Sequence, residues 1–129
     1  MADDGSAEIK RLLEEQSDYM TDQAGQFAVA LKEVPDLPYG IPRQAGFDAL
    51  ANIRQFFRDL RGTINVVDTS DPAKGDVLDS LDELDRGFGI YESALEVGIS
   101  RKGNARMRSA KAKLKRASQD LQAAKKRLG

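Results

Sequence analysis

Apolar residues return along this chain at alternating steps of three and four, the spacing that keeps one stripe of a helix against a neighbour. Between residues 6 and 34 the stripe runs Ile9, Leu13, Gln16, Met20, Gln23, Phe27, Ala30 and Val34, widened by Leu12, Tyr19 and Leu31. Between 44 and 68 it is Phe47, Leu50, Ile53, Phe57, Leu60, Ile64 and Val67. Between 73 and 98 it is Val77, Leu81, Leu84, Phe88, Tyr91, Leu95 and Gly98. The last stretch, 104 to 128, is the most regular, with Met107, Ala110, Leu114, Ala117, Leu121, Ala124 and Leu128. Its alternation of a large residue with Ala lets a partner helix approach closely but offers little apolar area, so this helix needs a neighbour to be stable.

Three breaks separate the stretches. Pro35, Pro38 and Pro42 remove backbone donors and disfavour helix before them, which predicts an extended connection over 35–42. At Asp68 to Pro72, Asp71 is placed to cap a helix with Pro72 in its first turn. Gly98 to Asn104, with Gly103 and the candidate cap Asn104, reads as the turn of a helical hairpin. Four helices of about 25 residues, each about 38 Å long at 1.5 Å per residue, predict an all-α, up-down-up-down four-helix bundle with coiled-coil-like packing. A three-helix core with a free fourth helix is the rival arrangement. The 129 residues suit one domain, 1–129, with residues 1–5 flexible ahead of the first helix.

Two details stay open at this level. Gln16 and Gln23 lie one heptad apart where apolar residues belong. Either Leu12 and Tyr19 take the inward side instead, or the two amides form a buried pair that fixes register. Phe56 beside Phe57 fits a wide stripe, whereas a narrow one leaves Phe56 exposed as a docking patch. Tyr39 and Ile41 are expected to fold back over the bundle end, since burying apolar area is favourable by about 25 cal/mol per Å².

Charge changes the picture more than composition does. Residues 101–129 hold eleven Lys/Arg and one acid, Asp120, while the first 100 residues hold nine Lys/Arg and twenty Asp/Glu. A formal net charge of −1 therefore conceals a basic final helix joined to an acidic body. With the turn centred near residues 101 and 102, the third and fourth helices form an antiparallel hairpin in which Glu92 lies near Lys111. The candidate acidic face is Asp79, Asp82, Glu83, Asp85 and Glu92, and the candidate basic face is Arg101, Lys102, Arg108, Lys111, Lys115, Arg116 and Lys126. Exposed pairs of this kind are each worth about 0.2–1 kcal/mol, so they select orientation and register more than they stabilise.

Candidate chemistry is thin. The chain has no His and no Cys, which removes the usual general base, the thiol nucleophile and the common soft metal ligands. Asp79, Asp82 and Glu83 lie at helical spacing, but a helix surface supplies few converging oxygens. Pro72 to Asp76 contains Lys and Gly without the pattern of a phosphate loop. No catalytic, cofactor or metal residue is therefore assigned, and an enzyme is not expected. No stretch is apolar enough to span a bilayer, and Met1 to Gly5 lacks the basic start and apolar centre of a signal peptide. A cytoplasmic chain is expected, with leaderless export or incorporation into a larger particle left open. No motif is specific enough to name a family. The leading expectation is a non-catalytic bundle working by protein–protein interaction or self-assembly through complementary acidic and basic faces. The alternative is a sequence-nonspecific nucleic-acid-associated protein using the last helix. Membrane-surface binding ranks below both, because the apolar stripe of that helix has no Phe or Trp.

Overall fold

The computed structural model describes residues 4–16, 41–97 and 100–128. These form four helices and no strand, an all-α four-helix bundle. Residues 4–16 are helical and belong to α1; α2 is Ile41–Asn65, α3 is Ala73–Val97 and α4 is Arg101–Arg127. Helix is already present at residue 4, two residues before the expected start. The expected extended connection over 35–42 does not reach its last two residues: α2 begins at Ile41, and Pro42 lies in its first turn, where its missing N–H has no intrahelical partner to lose. Gln23 and Tyr39 lie outside the described residues.

The start of α3 follows the sequence pattern. Asp71 Oδ1 accepts the Ala73 N–H at 2.9 Å, and the Asp71 carbonyl accepts the Lys74 N–H at 3.1 Å. Lys74 reaches back across the turn, its Nζ donating to the carbonyls of Asn65 at 2.9 Å and Val67 at 2.7 Å, and so covers oxygens that the end of α2 leaves open. The start of α4 differs from the expectation. Its cap is Ser100, whose Oγ accepts the Gly103 N–H at 2.9 Å, and Asn104 lies in the first turn with its N–H donated to the Ser100 carbonyl. A cap four residues earlier brings Gly103 into the helix on its buried face.

Within the described residues, the stripes read from the sequence supply the core, with Phe47 and Val67 half-buried at its ends. Leu50, Ile53, Phe57, Leu60 and Ile64 of α2 meet Val77, Leu81, Leu84, Phe88, Tyr91 and Leu95 of α3, all buried. From α4, Ala110, Ala117, Leu121, Ala124 and the following Leu128 close the same core, with Met107 and Leu114 half-buried beside it. Ile9 and Leu13 add the α1 side, Leu12 lies half-buried at its margin, and Gln16 is also half-buried. The α2 stripe is wide. Phe56 sits half-buried, edge-on to Phe57 at 5.5 Å between ring centroids, and Phe57 stacks on Phe88 at 5.6 Å.

Gly87 lets α4 close in on α3, whereas at Gly89 a Cβ would make ordinary contact. A Cβ on Gly87 would lie 2.6 Å from Leu114 Cδ2, so the α4 leucine is seated directly on the α3 backbone. On the α2 side, the Arg54 guanidinium lies 3.5 Å from where a Gly89 Cβ would be. The start of α1 is tied to the α2–α3 turn by buried Ser6, whose Oγ donates to Asp71 Oδ2 at 2.7 Å. Arg54 meets Glu92 while Arg61 meets Asp82, and Arg106 meets Ser93 while Arg127 meets Asp76, so α2 and α3, and α3 and α4, run antiparallel.

Candidate functional site

Acids of α3 pair with both neighbouring helices, more often with α2 than with α4. Arg54, Arg58 and Arg61 recur at steps of four and three and so line one flank of α2. Arg54 Nε donates to Asp85 Oδ1 at 2.8 Å and its Nη1 reaches Glu92 Oε2 at 3.5 Å. Arg58 Nε lies 3.5 Å from Asp85 Oδ2. Arg61 Nε lies 2.6 Å from Asp82 Oδ1, but off the line of its N–H, so that contact is an ion pair without a good hydrogen bond. The Asp85 hydrogen bond holds the Arg54 guanidinium above its ordinary pKa, partly opposed by its burial.

From α4 the matching is sparser. Lys113 Nζ lies 3.1 Å from Glu83 Oε2, and Glu83 also pairs with Arg86 on its own helix. The Lys113 hydrogen bond holds the Glu83 carboxyl below the usual carboxylate range. Arg127 Nη2 donates to Asp76 Oδ2 at 2.8 Å. Arg106 Nη1 donates to Ser93 Oγ at 2.7 Å. Glu92, placed near Lys111 by the simple hairpin register, faces Arg54 instead, because it projects from the α2 side of α3 and Lys111 from the far flank of α4.

The expected acidic face is thus split by rotation about α3: Asp82, Asp85 and Glu92 turn to α2, Glu83 turns to α4, and Asp79 is exposed. Asp79, Asp82 and Glu83 do not converge, and no group of three potential metal ligands occurs among the described residues. The expected basic face is brought together on α4. Arg101, Lys102, Arg108, Lys111, Lys115, Arg116 and Lys126 are all exposed, and among the described residues none of them makes an ion pair. The α2 arginines had a signal in the sequence, their spacing on one helical flank, but spacing alone does not say toward which neighbour that flank turns.

The fold and its charges define a class: an all-α bundle whose final helix is at once a core element and an exposed basic surface. No helix among the described residues is long and apolar enough to cross a membrane. No family model, curated protein or solved structure matches the sequence.

Proposed function

We propose that this protein is a non-catalytic interaction module that holds an anionic partner on the outer face of α4. The observation that carries the reading is the uneven use of charge inside the bundle. Among the described residues, Arg54, Arg58 and Arg61 pair with Asp82, Asp85 and Glu92 of α3, and the α4 cations that pair with α3 acids are Lys113 and Arg127. Among the described residues, internal complementarity therefore accounts for two of the α4 cations and gives the outer row no ion pair. Like charges crowded on one helix repel, at a cost of a few tenths of a kcal/mol per neighbouring pair, and an external polyanion relieves that repulsion.

Retention on a heparin column tests the reading. Wild type is expected to bind at low salt and elute as salt rises. The triple variant Arg108→Gln, Lys111→Gln, Lys115→Gln is expected to flow through with an unchanged melting curve. Wild type passing straight through sinks the proposal. Self-assembly is the second reading, favoured by exposed Asp79 on α3 and Asp120 on α4, which offer a second copy's basic helix an acidic landing place. Light scattering at low salt distinguishes it, as a mass above that of one chain that falls on adding salt.

A further inference from the structure

The partner class can be taken further, on the assumption that the α4 reading holds. Arg101, Arg108, Lys111, Lys115 and Lys126 recur at helical spacing along the flank of α4 opposite the one that carries Arg106, Lys113 and Arg127 toward α3. The gaps in this row are filled by exposed Asn104, Gln119 and Gln122. No acid interrupts it; Asp120, the single acid of α4, lies on the α3 side. Every side chain in the row is thus a type that donates hydrogen bonds to phosphate oxygens.

Length and composition choose among polyanions. From residue 101 to 126 the row extends about 38 Å at 1.5 Å per residue, close to the roughly 34–36 Å of one duplex turn. A protein partner needs an apolar centre to its interface, usually a large or aromatic anchor. Among the described residues the exposed large hydrophobics are Val66 and Val97, neither of them on α4. A single strand needs aromatic platforms for its bases, and α4 has none. A duplex backbone needs neither. Because Leu114 is seated on Gly87 and the alanine stripe is buried, the row is presented on a helix already fixed in place.

We infer that the outer row of α4 binds double-stranded nucleic acid through its phosphate backbone, over about one turn and without reading base sequence. Its affinity is set by counterion release, and five phosphate contacts give a slope of log K against log salt of about −4.5. Between about 50 and 200 mM salt that is a loss of roughly 500-fold.

The test is an anisotropy titration of a labelled random-sequence duplex with the full chain across that salt range. The triple variant Arg108→Gln, Lys111→Gln, Lys115→Gln is expected to flatten the slope by about 2.7 while melting as wild type does. Arg127→Gln, which removes a cation already paired with Asp76, is expected to leave the slope near the wild-type value. Unlabelled duplex of unrelated sequence is expected to compete fully, and single strand or poly-glutamate of equal charge poorly. Equal competition by poly-glutamate overturns the inference in favour of an acidic protein partner. Heparin retention without duplex binding overturns it while leaving the interaction module standing, and loss of both removes both.

Discussion

A Cβ on Gly5 would lie 2.1 Å from the Asp68 carbonyl oxygen, a backbone atom that cannot swing aside, so α1 reaches the α2–α3 turn only because residue 5 has no side chain. Gly62, exposed in α2, has open space where a Cβ would stand, with nothing within 4 Å. The two glycines respond oppositely to alanine. Gly62→Ala gains about 0.5–1 kcal/mol from reduced chain entropy and better helix propensity. Gly5→Ala forces α1 off the turn and is expected to cost about 1–3 kcal/mol, the range for overpacking a tight contact. Urea midpoints of the two variants check both signs. Beside Gly5, the Asp71 carboxylate serves two elements, capping α3 and accepting from buried Ser6. Asp71→Ala is expected to lose about 2–3 kcal/mol, the cap plus the stranded hydroxyl, and more than Ser6→Ala loses. Asp71→Asn, which keeps a capping oxygen, recovers most of that cap. Tyr91 adds a pH signature. Burial pushes its hydroxyl up to about 12 from an ordinary value near 10, so the neutral form is favoured in the fold. Its contribution is complete below pH 10 and is lost as pH rises from about 10 toward 12, where the unfolded chain ionises first. Alkaline unfolding followed by circular dichroism should be less steep in Tyr91→Phe.

At the scale of elements, α3 is held between two basic flanks, and the two are not equivalent. Arg54 is three-quarters buried and shares Asp85 and Glu92, whereas Arg58 is half exposed and only touches Asp85. Arg54→Ala is expected to cost about 1–2 kcal/mol because it leaves a largely buried Asp85 with only the longer Arg58 contact, and Arg58→Ala under about 0.5 kcal/mol, with thermal melts separating them. On the α4 side, Glu83 is held low by Lys113, so that interaction is fully present above the usual carboxylate range and is lost as pH falls below it. Lys113→Ala should therefore make acid unfolding less steep. The helical stripes of this sandwich were legible in the sequence, since a buried face imposes the three-four period that Leu50 to Ile64 and Ala110 to Leu128 display. The Asp71 cap was legible too, because capping is a local property. What was not legible is rotation. Glu92 faces Arg54 rather than Lys111, and the α2 arginines take Asp82 and Asp85 as well, because a shift of one residue turns a helix by about 100° and charge spacing does not fix that angle. The Ser100 cap was hidden for a different reason: Asn104 is an equally good capping residue by type, and only the packing of Gly103 on the core selects the earlier start.

For the whole molecule, the consequence is that charge and core cannot be separated by cutting the chain. Removing residues 101–129 deletes the basic row and also Ala110, Ala117, Leu121, Ala124 and Leu128 from the shared core. It uncovers the face of α3 that Leu114 sits on. Fully burying one leucine is worth about 1.5–3 kcal/mol, and a domain of this size has only about 5–15 kcal/mol of net stability, so the loss of a whole core face approaches the total. The chain ending at residue 100 is expected to lose cooperative thermal unfolding and to expose apolar surface, read as dye binding in place of a melting transition. A truncation that failed to bind a polyanion would then report on folding and say nothing of α4 as a surface. Charge neutralisation on the exposed row avoids this, since Arg108, Lys111 and Lys115 make no ion pair among the described residues and their loss removes no core contact. If instead the truncated chain melted cooperatively, α4 would be an appendage on a three-helix core, and the close seating of Leu114 on Gly87 could not be energetically important. The two outcomes are opposite in a single melting curve, and that curve decides whether the basic helix is part of the scaffold that presents it.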